Sequence, residues 1–180
     1  MNWLSNIIRV IIILLLISIW TCKPSNSHHY KIKAHPLSKE APKIGYYAPN
    51  FIAINPKDKK ISLEDGLGKA TIIDFWASWC QPCREVVNPA YLKLYQKYHA
   101  KGLNIIMVSS DRHKYFWHET LKKDSLPWTH VLDSSKRILK MYEVKKLPTM
   151  FLVDRNGFII GKNLWAENLE NKIDSLVKLQ

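Results

Sequence analysis

One stretch constrains this chain more than any other: Thr71-Ile-Ile-Asp-Phe-Trp-Ala-Ser-Trp-Cys-Gln-Pro-Cys83. Thr71 to Trp76 is β-favouring and apolar except for Asp74, and it is about one strand long. After it the apolar spacing changes to helix period. Two cysteines at such a junction have a chemical consequence. Cys80 is expected where the unpaired N–H groups and positive dipole end of a helix stabilise a thiolate, lowering its pKa below the ordinary value of about 8.5. Cys83 follows about one turn later on the same face, close enough to close a disulfide. Pro82 falls in the first turn, where its missing N–H costs no hydrogen bond.

The segment Phe75-Trp76-Ala77-Ser78-Trp79-Cys80-Gln81-Pro82-Cys83-Arg84 resembles the active-site segment of the thioredoxin superfamily. Further landmarks narrow the resemblance to the TlpA/ResA-like, membrane-associated thiol-disulfide oxidoreductases: Ala48-Pro49-Asn50-Phe51, Val108-Ser109-Ser110-Asp111, Leu147-Pro148-Thr149, and Phe151-Leu152-Val153-Asp154 followed by Asn156-Gly157. The resemblance implies a thioredoxin-like fold, with an extra helix and strand inserted between the Cys-X-X-Cys helix and a cis-proline loop. It implies that Cys80 attacks a substrate disulfide, that Cys83 resolves the mixed disulfide, and that the redox-active Cys80–Cys83 pair is the only redox group, with no cofactor or metal. Pro148 matches the cis-proline. Trp79, Gln81, Pro82, Leu147, Pro148 and Thr149 are then the expected substrate-binding residues, with the backbone around Pro148 pairing with the substrate chain as an added strand.

Along the chain, Phe51 to Ile54 and Lys60 to Leu63 are short strand candidates around an Asn55-Pro56-Lys57-Asp58 turn. Arg84 to Ala100 carries Val87, Tyr91, Leu94, Tyr95 and Tyr98 at helical spacing, with Pro89 as an expected kink. Leu103 to Val108 reads as a strand buried on both faces, His113 to Lys123 as a helix, Trp128 to Leu132 as a strand and Ser135 to Tyr142 as a helix. Thr149 to Val153 and Phe158 to Lys162 form a hairpin through an Asp-Arg-Asn-Gly turn, and Leu169, Ile173, Leu176 and Val177 line a closing helix. Strands alternating with helices around a mixed sheet make the class α/β.

The N-terminus is separate. A single positive charge precedes an apolar run from Val10 to Trp20, which has signal-peptide length and is short for a membrane span. Cys22 follows directly, and three fates are open: lipidation at Cys22, an uncleaved anchor starting near Trp3, or ordinary cleavage leaving a free thiol. The expected organisation is 1–22 as a signal or anchor, 23–43 as a flexible linker and 44–180 as a thioredoxin-like domain. The expected place is the bacterial cell envelope, with the domain outside the cytoplasm and the membrane reached through the N-terminus. Expected partners are disulfide-containing exported proteins and a membrane thiol electron donor. The formal charge of +12 comes from scattered lysines, and the aromatics read as core residues, so nucleic acid is not an expected partner. His28, His29 and His35 belong to a solvated spacer, and the other histidines have no zinc-finger spacing.

Asp74 is the informative polar residue, because a carboxylate inside an apolar strand is costly unless paired or protonated. Burial should raise its pKa and make it a proton acceptor near neutrality. It matches the buried aspartate of thioredoxin. The ResA-like group instead tends to place a glutamate at the third position after the second cysteine, which here is Val86. Glu85 comes one residue early, about 100° around an α-helix, and Pro89 is also displaced by one. Proton transfer is therefore assigned to Asp74. Two other functions remain open at this point. A peroxiredoxin-like peroxidase would need a Pro-X-X-X-Thr-X-X-Cys arrangement, where this chain has Ile73, Ala77 and Cys80. A redox-silent binding module would have no use for both Cys80 and Cys83.

Overall fold

Seven strands form one mixed sheet: β1 (Ile52–Ile54), β2 (Lys60–Ser62), β3 (Ala70–Trp76), β4 (Leu103–Ser109), β5 (Thr129–Leu132), β6 (Thr149–Asp154) and β7 (Ile159–Lys162), in the order β2-β1-β5-β4-β3-β6-β7. The computed structural model describes residues 42–179. β3 pairs in parallel with β4 along its whole length and antiparallel with β6, and all seven of its residues are buried. A strand with partners on both edges and cover on both faces has no solvent side, which explains why its sequence, Thr71 and Asp74 apart, is apolar on both faces instead of alternating. β4 and β5 continue the parallel core, whereas β1, β2 and β7 pair antiparallel at the margins.

The helices are α1 (Asn88–Tyr98), α2 (Lys114–Asp124), α3 (Arg137–Met141) and α4 (Ala166–Lys178). The strand period of two gives the sheet two unlike faces. On the first, Ile72, Trp76, Ile105, Met107, Met150 and Leu152 pack with Tyr91, Trp117, Leu169 and Ile173 from α1, α2 and α4. On the second, Ile73, Phe75, Ile106, Val108, Val131, Phe151 and Val153 pack with Phe51, Ile138 and Tyr142. The hairpin expected around Asn156-Gly157 is present: the Asp154 carboxylate accepts the Asn156 and Phe158 N–H groups, each at 2.9 Å, and Gly157 takes φ 90°, open to glycine without strain. The inserted helix and strand are α2 and β5, between α1 and the proline loop.

One local expectation is corrected. Arg84 to Ala100 is not one α-helix kinked at Pro89. Cys83–Val87 forms a π turn in which the Asn88 N–H reaches the Cys83 carbonyl five residues back, and α1 begins at Asn88 with Pro89 in its first turn. A π turn holds one residue more than an α turn. That accommodates the one-residue displacement of Pro89, and Pro89 becomes a helix starter instead of a kink.

Cys22, the three linker histidines, residues 1–22 and most of 23–43 lie outside the described residues. Among those described, no helix is long and apolar enough to cross a membrane, and no three His, Cys, Asp or Glu side chains are grouped so as to hold a metal ion.

Candidate active site

β3 delivers the chain to the site, and its parallel neighbour holds the turn that follows. The register Trp76↔Ser109 sets the loop after β4 beside the turn before Cys80. The Ser110 N–H donates to the Trp76 carbonyl at 2.9 Å. Asp111 then grips Ser78 twice, accepting its N–H at 2.9 Å and its hydroxyl at 2.7 Å, while the Ser109 hydroxyl donates to the same carboxylate at 2.7 Å. Asp111 is buried, and its oxygens are used to fix the turn. The sequence marked Val108 to Asp111 only as a landmark; the reason for the aspartate is visible once β3 and β4 are paired.

From this clamp the chain reaches Cys80, whose N–H donates to the Ala77 carbonyl at 3.0 Å and whose carbonyl accepts the Arg84 N–H at 3.3 Å. Helical backbone starts at Gln81, so Cys80 sits at the helix entrance, as the strand-to-helix change predicts. Cys80 and Cys83 form a disulfide with an S–S distance of 2.04 Å and a Cα separation of 5.4 Å. Cys80 retains 4% exposure and Cys83 none, so Cys80 is the one of the pair that reaches the surface at all. Arg84, the next residue, makes a two-pronged ion pair with Asp124 at the end of α2, at 2.8 and 2.6 Å, tying the inserted helix to the cysteine helix.

The expected substrate-binding residues separate by exposure. Trp79 is 69% exposed, and Gln81 and Pro82 are also on the surface. Trp76, by contrast, is wholly buried. The Leu147–Pro148 peptide is cis, and the register Phe75↔Thr149 brings it to the end of β3 from which the cysteine turn departs. Thr149 is buried, and its hydroxyl donates to the Lys146 carbonyl at 2.7 Å. A substrate there would therefore meet main chain and not the threonine hydroxyl.

Beneath the cysteine helix lies Asp74, on the first face of β3 between Ile72 and Trp76. It is fully buried, and one carboxyl oxygen accepts the Tyr91 hydroxyl at 3.1 Å while the other has no partner among the described residues. Burial holds its pKa well above the ordinary carboxyl range, and the Tyr91 hydrogen bond only partly opposes this. The same burial, with Asp74 alongside, raises the Tyr91 phenol well above its usual value. Sequence reasoning placed Tyr91 among the apolar helix positions and missed its hydroxyl; a buried acid on the facing strand was the available signal. The alternative bases are elsewhere: Glu85 is exposed and bonded by the Gln81 amide at 2.9 Å, and Val86 is 65% exposed. The polar residue closing the π turn on the buried side is Asn88, whose amide does not titrate and so cannot act as a base.

Such a site holds a thiol pair at a helix entrance with a protonatable carboxyl below it, which suits thiol–disulfide exchange. The AhpC/TSA family model matches residues 44–162. A thiol-disulfide oxidoreductase ResA from Bacillus cereus is 34% identical over 141 residues, covering 78% of this chain and 81% of that protein. The ResA of Bacillus subtilis is 32% identical over 122 residues, 68% of each chain. Among solved structures, the thioredoxin domain of a thiol-disulfide oxidoreductase from Bacteroides vulgatus superposes with a TM-score of 0.69 at 32% identity, covering 76% of this chain and 99% of that one. A thiol:disulfide interchange protein from a Bacteroides species superposes with a TM-score of 0.67 at 34% identity, covering 75% and 90%. Identity at this level over most of both chains is that of homologues, and the chain accordingly belongs to the AhpC/TSA family within the thioredoxin-like fold, among its ResA/TlpA-like thiol-disulfide oxidoreductases.

Proposed function

We propose that this oxidoreductase works as a reductant of exported proteins, held at the membrane by its N-terminus with residues 44–180 as the catalytic domain and 23–43 as the tether. The observation that carries the reading is the asymmetry of the cysteine pair, with Cys80 at the helix entrance and Cys83 fully buried in the same apolar core face that holds the buried Asp74. In the reduced enzyme the Cys80 thiolate attacks one sulfur of a substrate disulfide. A Cys80–substrate disulfide forms, and the substrate's other sulfur leaves as a thiolate and takes a proton. Cys83 then loses its proton to Asp74, directly or through water, and attacks Cys80. The Cys80–Cys83 disulfide forms, the second substrate thiol is released, and two electrons have passed from enzyme to substrate. A membrane thiol donor re-reduces the pair, and no cofactor takes part.

Envelope location and membrane attachment rest on the apolar run from Val10 to Trp20 and on Cys22 directly after it. The resemblance to ResA-like proteins points to cytochrome c maturation, with apocytochrome cysteines as the substrate. Trapping tests the assignment. Cys80→Ser should abolish reduction, while Cys83→Ser should still attack and accumulate mixed disulfides with exported proteins in the native compartment. Equal alkylation rates of the two thiols at mildly acidic pH would overturn the assignment of nucleophile. Soluble wild-type protein lacking residues 1–21, with a free Cys22 thiol, would overturn the tether.

A further inference from the structure

The inserted helix α2 builds a second wall beside the cysteines that the sequence reading did not foresee. Between α2 and the active-site turn runs a cleft of about 610 Å³. Ser78 and Trp79, the two residues before Cys80, form one side, and Phe116, Arg112, His113 and Lys123 are on the other. Trp79 is 69% and Phe116 57% exposed, so large aromatic surface from both walls is left in contact with water, on the first wall at the residue directly before Cys80.

The charges of the cleft divide into used and unused. Arg84 is matched by Asp124, Asp111 is taken up by Ser78 and Ser109, and Glu119 receives the Lys122 ammonium at 2.7 Å. Arg112 and Lys123 make no ion pair and no side-chain hydrogen bond among the described residues. Among the described residues the imidazole of His113 makes a ring contact with Phe116, edge-on. The unused charge is thus cationic, and it stands at the two ends of α2, about 16 Å apart for a helix of this length. An extended polypeptide covers that span in about five residues.

We propose that this cleft binds the flanking segment of the protein substrate, selecting a stretch with acidic side chains on either side of an apolar or aromatic residue next to the cysteine to be reduced. The acidic groups meet Arg112 and His113 at one end and Lys123 at the other, and the apolar side chain lies between Trp79 and Phe116. This deepens the proposed function and rests on it. Main-chain pairing at the cis-proline accepts many sequences, whereas the α2 cleft supplies a sequence preference on the opposite wall. The chain's net charge of +12 adds attraction for an acidic partner.

The test uses the purified full chain and two synthetic peptides of equal length, each with one disulfide followed by Asp-Ala-Phe-Ala-Glu or by Lys-Ala-Phe-Ala-Lys. Each kcat/KM is divided by that of the same protein on 2-hydroxyethyl disulfide, which is neutral and too small to span the cleft. The wild type should favour the acidic peptide by on the order of tenfold, through KM, and the ratio should fall toward one in about 1 M salt, where the screening length is near 3 Å. The Arg112→Glu, Lys123→Glu double variant should reverse the preference, and Phe116→Ser should weaken both peptides without changing their ratio. Equal wild-type rates on the two peptides, or a preference untouched by salt and by the double variant, would overturn the cleft assignment while turnover of 2-hydroxyethyl disulfide leaves the reductase reading standing. Failure of the reduced wild type to act on 2-hydroxyethyl disulfide would overturn that reading and this one together.

Discussion

The two faces of the sheet differ in how completely their polar groups are satisfied. On the second face Phe51, Phe75, Phe151 and Tyr142 interlock, with the Phe75, Tyr142 and Phe151 ring centroids 5.1 to 6.2 Å apart, and the buried Tyr142 hydroxyl donates to the Pro49 carbonyl at 2.7 Å. On the first face one oxygen of Asp74, the Asn88 carbonyl oxygen and the indole N–H groups of Trp76, Trp117 and Trp128 lack partners among the described residues. An unmatched buried polar group costs about 1–3 kcal/mol. The first face therefore carries a stability cost beneath the cysteine helix, where the proposed proton transfer would take place, and the second offsets it with dense aromatic packing.

Breaking the second face should produce the largest effect. Phe151→Ala removes a fully buried ring and should cost about 3–5 kcal/mol in urea unfolding, while the molecules that remain folded keep their turnover. Loss of disulfide reduction without loss of stability would mean that the faces do not divide the work in this way.

His130 gives the next effect. It is buried beside Trp76 and Trp128, and burial depresses its pKa from 6.5 to about 4, with a hydrogen bond to the Leu126 backbone and the nearby Asp124 charge opposing it only in part. The unfolded chain therefore takes up a proton at this site before the folded chain does, so the stability present above pH ~6.5 is lost as pH falls toward about 4. His130→Leu should remove about 3 kcal/mol of that acid-induced loss. Unfolding free energies at pH 7 and pH 4, compared between wild type and variant, measure it. Parallel pH profiles would show that the hydrogen bond to the Leu126 backbone and the Asp124 charge offset the burial of the imidazole.

Asp74 sharpens the contrast with a smaller, kinetic effect. Asp74→Asn should leave the first attack by Cys80 largely intact and slow resolution by Cys83 about 10-fold to 100-fold, toward the lower end for a lost general base. The slowing should shrink as pH rises toward the pKa of Cys83. Stability should change in the opposite sense. Because the folded carboxyl titrates above the unfolded value of 3.8, wild type loses stability as pH rises past 3.8, and the asparagine variant should gain over it from there toward neutrality. Single-turnover kinetics with unchanged resolution in Asp74→Asn and a marked loss in Glu85→Gln would move the base to the exposed face of the helix.

Much of this was legible without coordinates, because it depends on local pattern. The continuous apolar runs of β3 and β4 announce burial on both faces, the change to helix period after Trp79 locates the cysteines, and Asn156-Gly157 specifies a hairpin. A single aspartate in β3 also identified itself, since one carboxylate among Ile73, Phe75 and Trp76 has no solvent to face. The pattern misled where it assumed a constant period. From Cys83 to Val87 the helix takes in one residue more per turn, and propensity along a short stretch does not distinguish an α turn from a π turn.

Tertiary structure alone decided which distant residues meet. Asp111 clamps Ser78 because β3 and β4 lie in parallel register, Tyr91 reaches Asp74 because α1 packs on that side of the sheet, and Arg84 finds Asp124 because the insertion folds back over the cysteine helix. None of these contacts has a spacing in the chain. The partners are 17 to 40 positions apart in sequence, and the path between them is set by the packing of whole elements. What the chain settled by itself is the chemistry at the strand–helix junction, since neighbouring residues dictate backbone period and burial there. The clamp, the hydrogen-bond partner of the buried Asp74 and the cleft beside α2 depend on long-range packing, in which the shape of the core and not the adjacent sequence selects the neighbour.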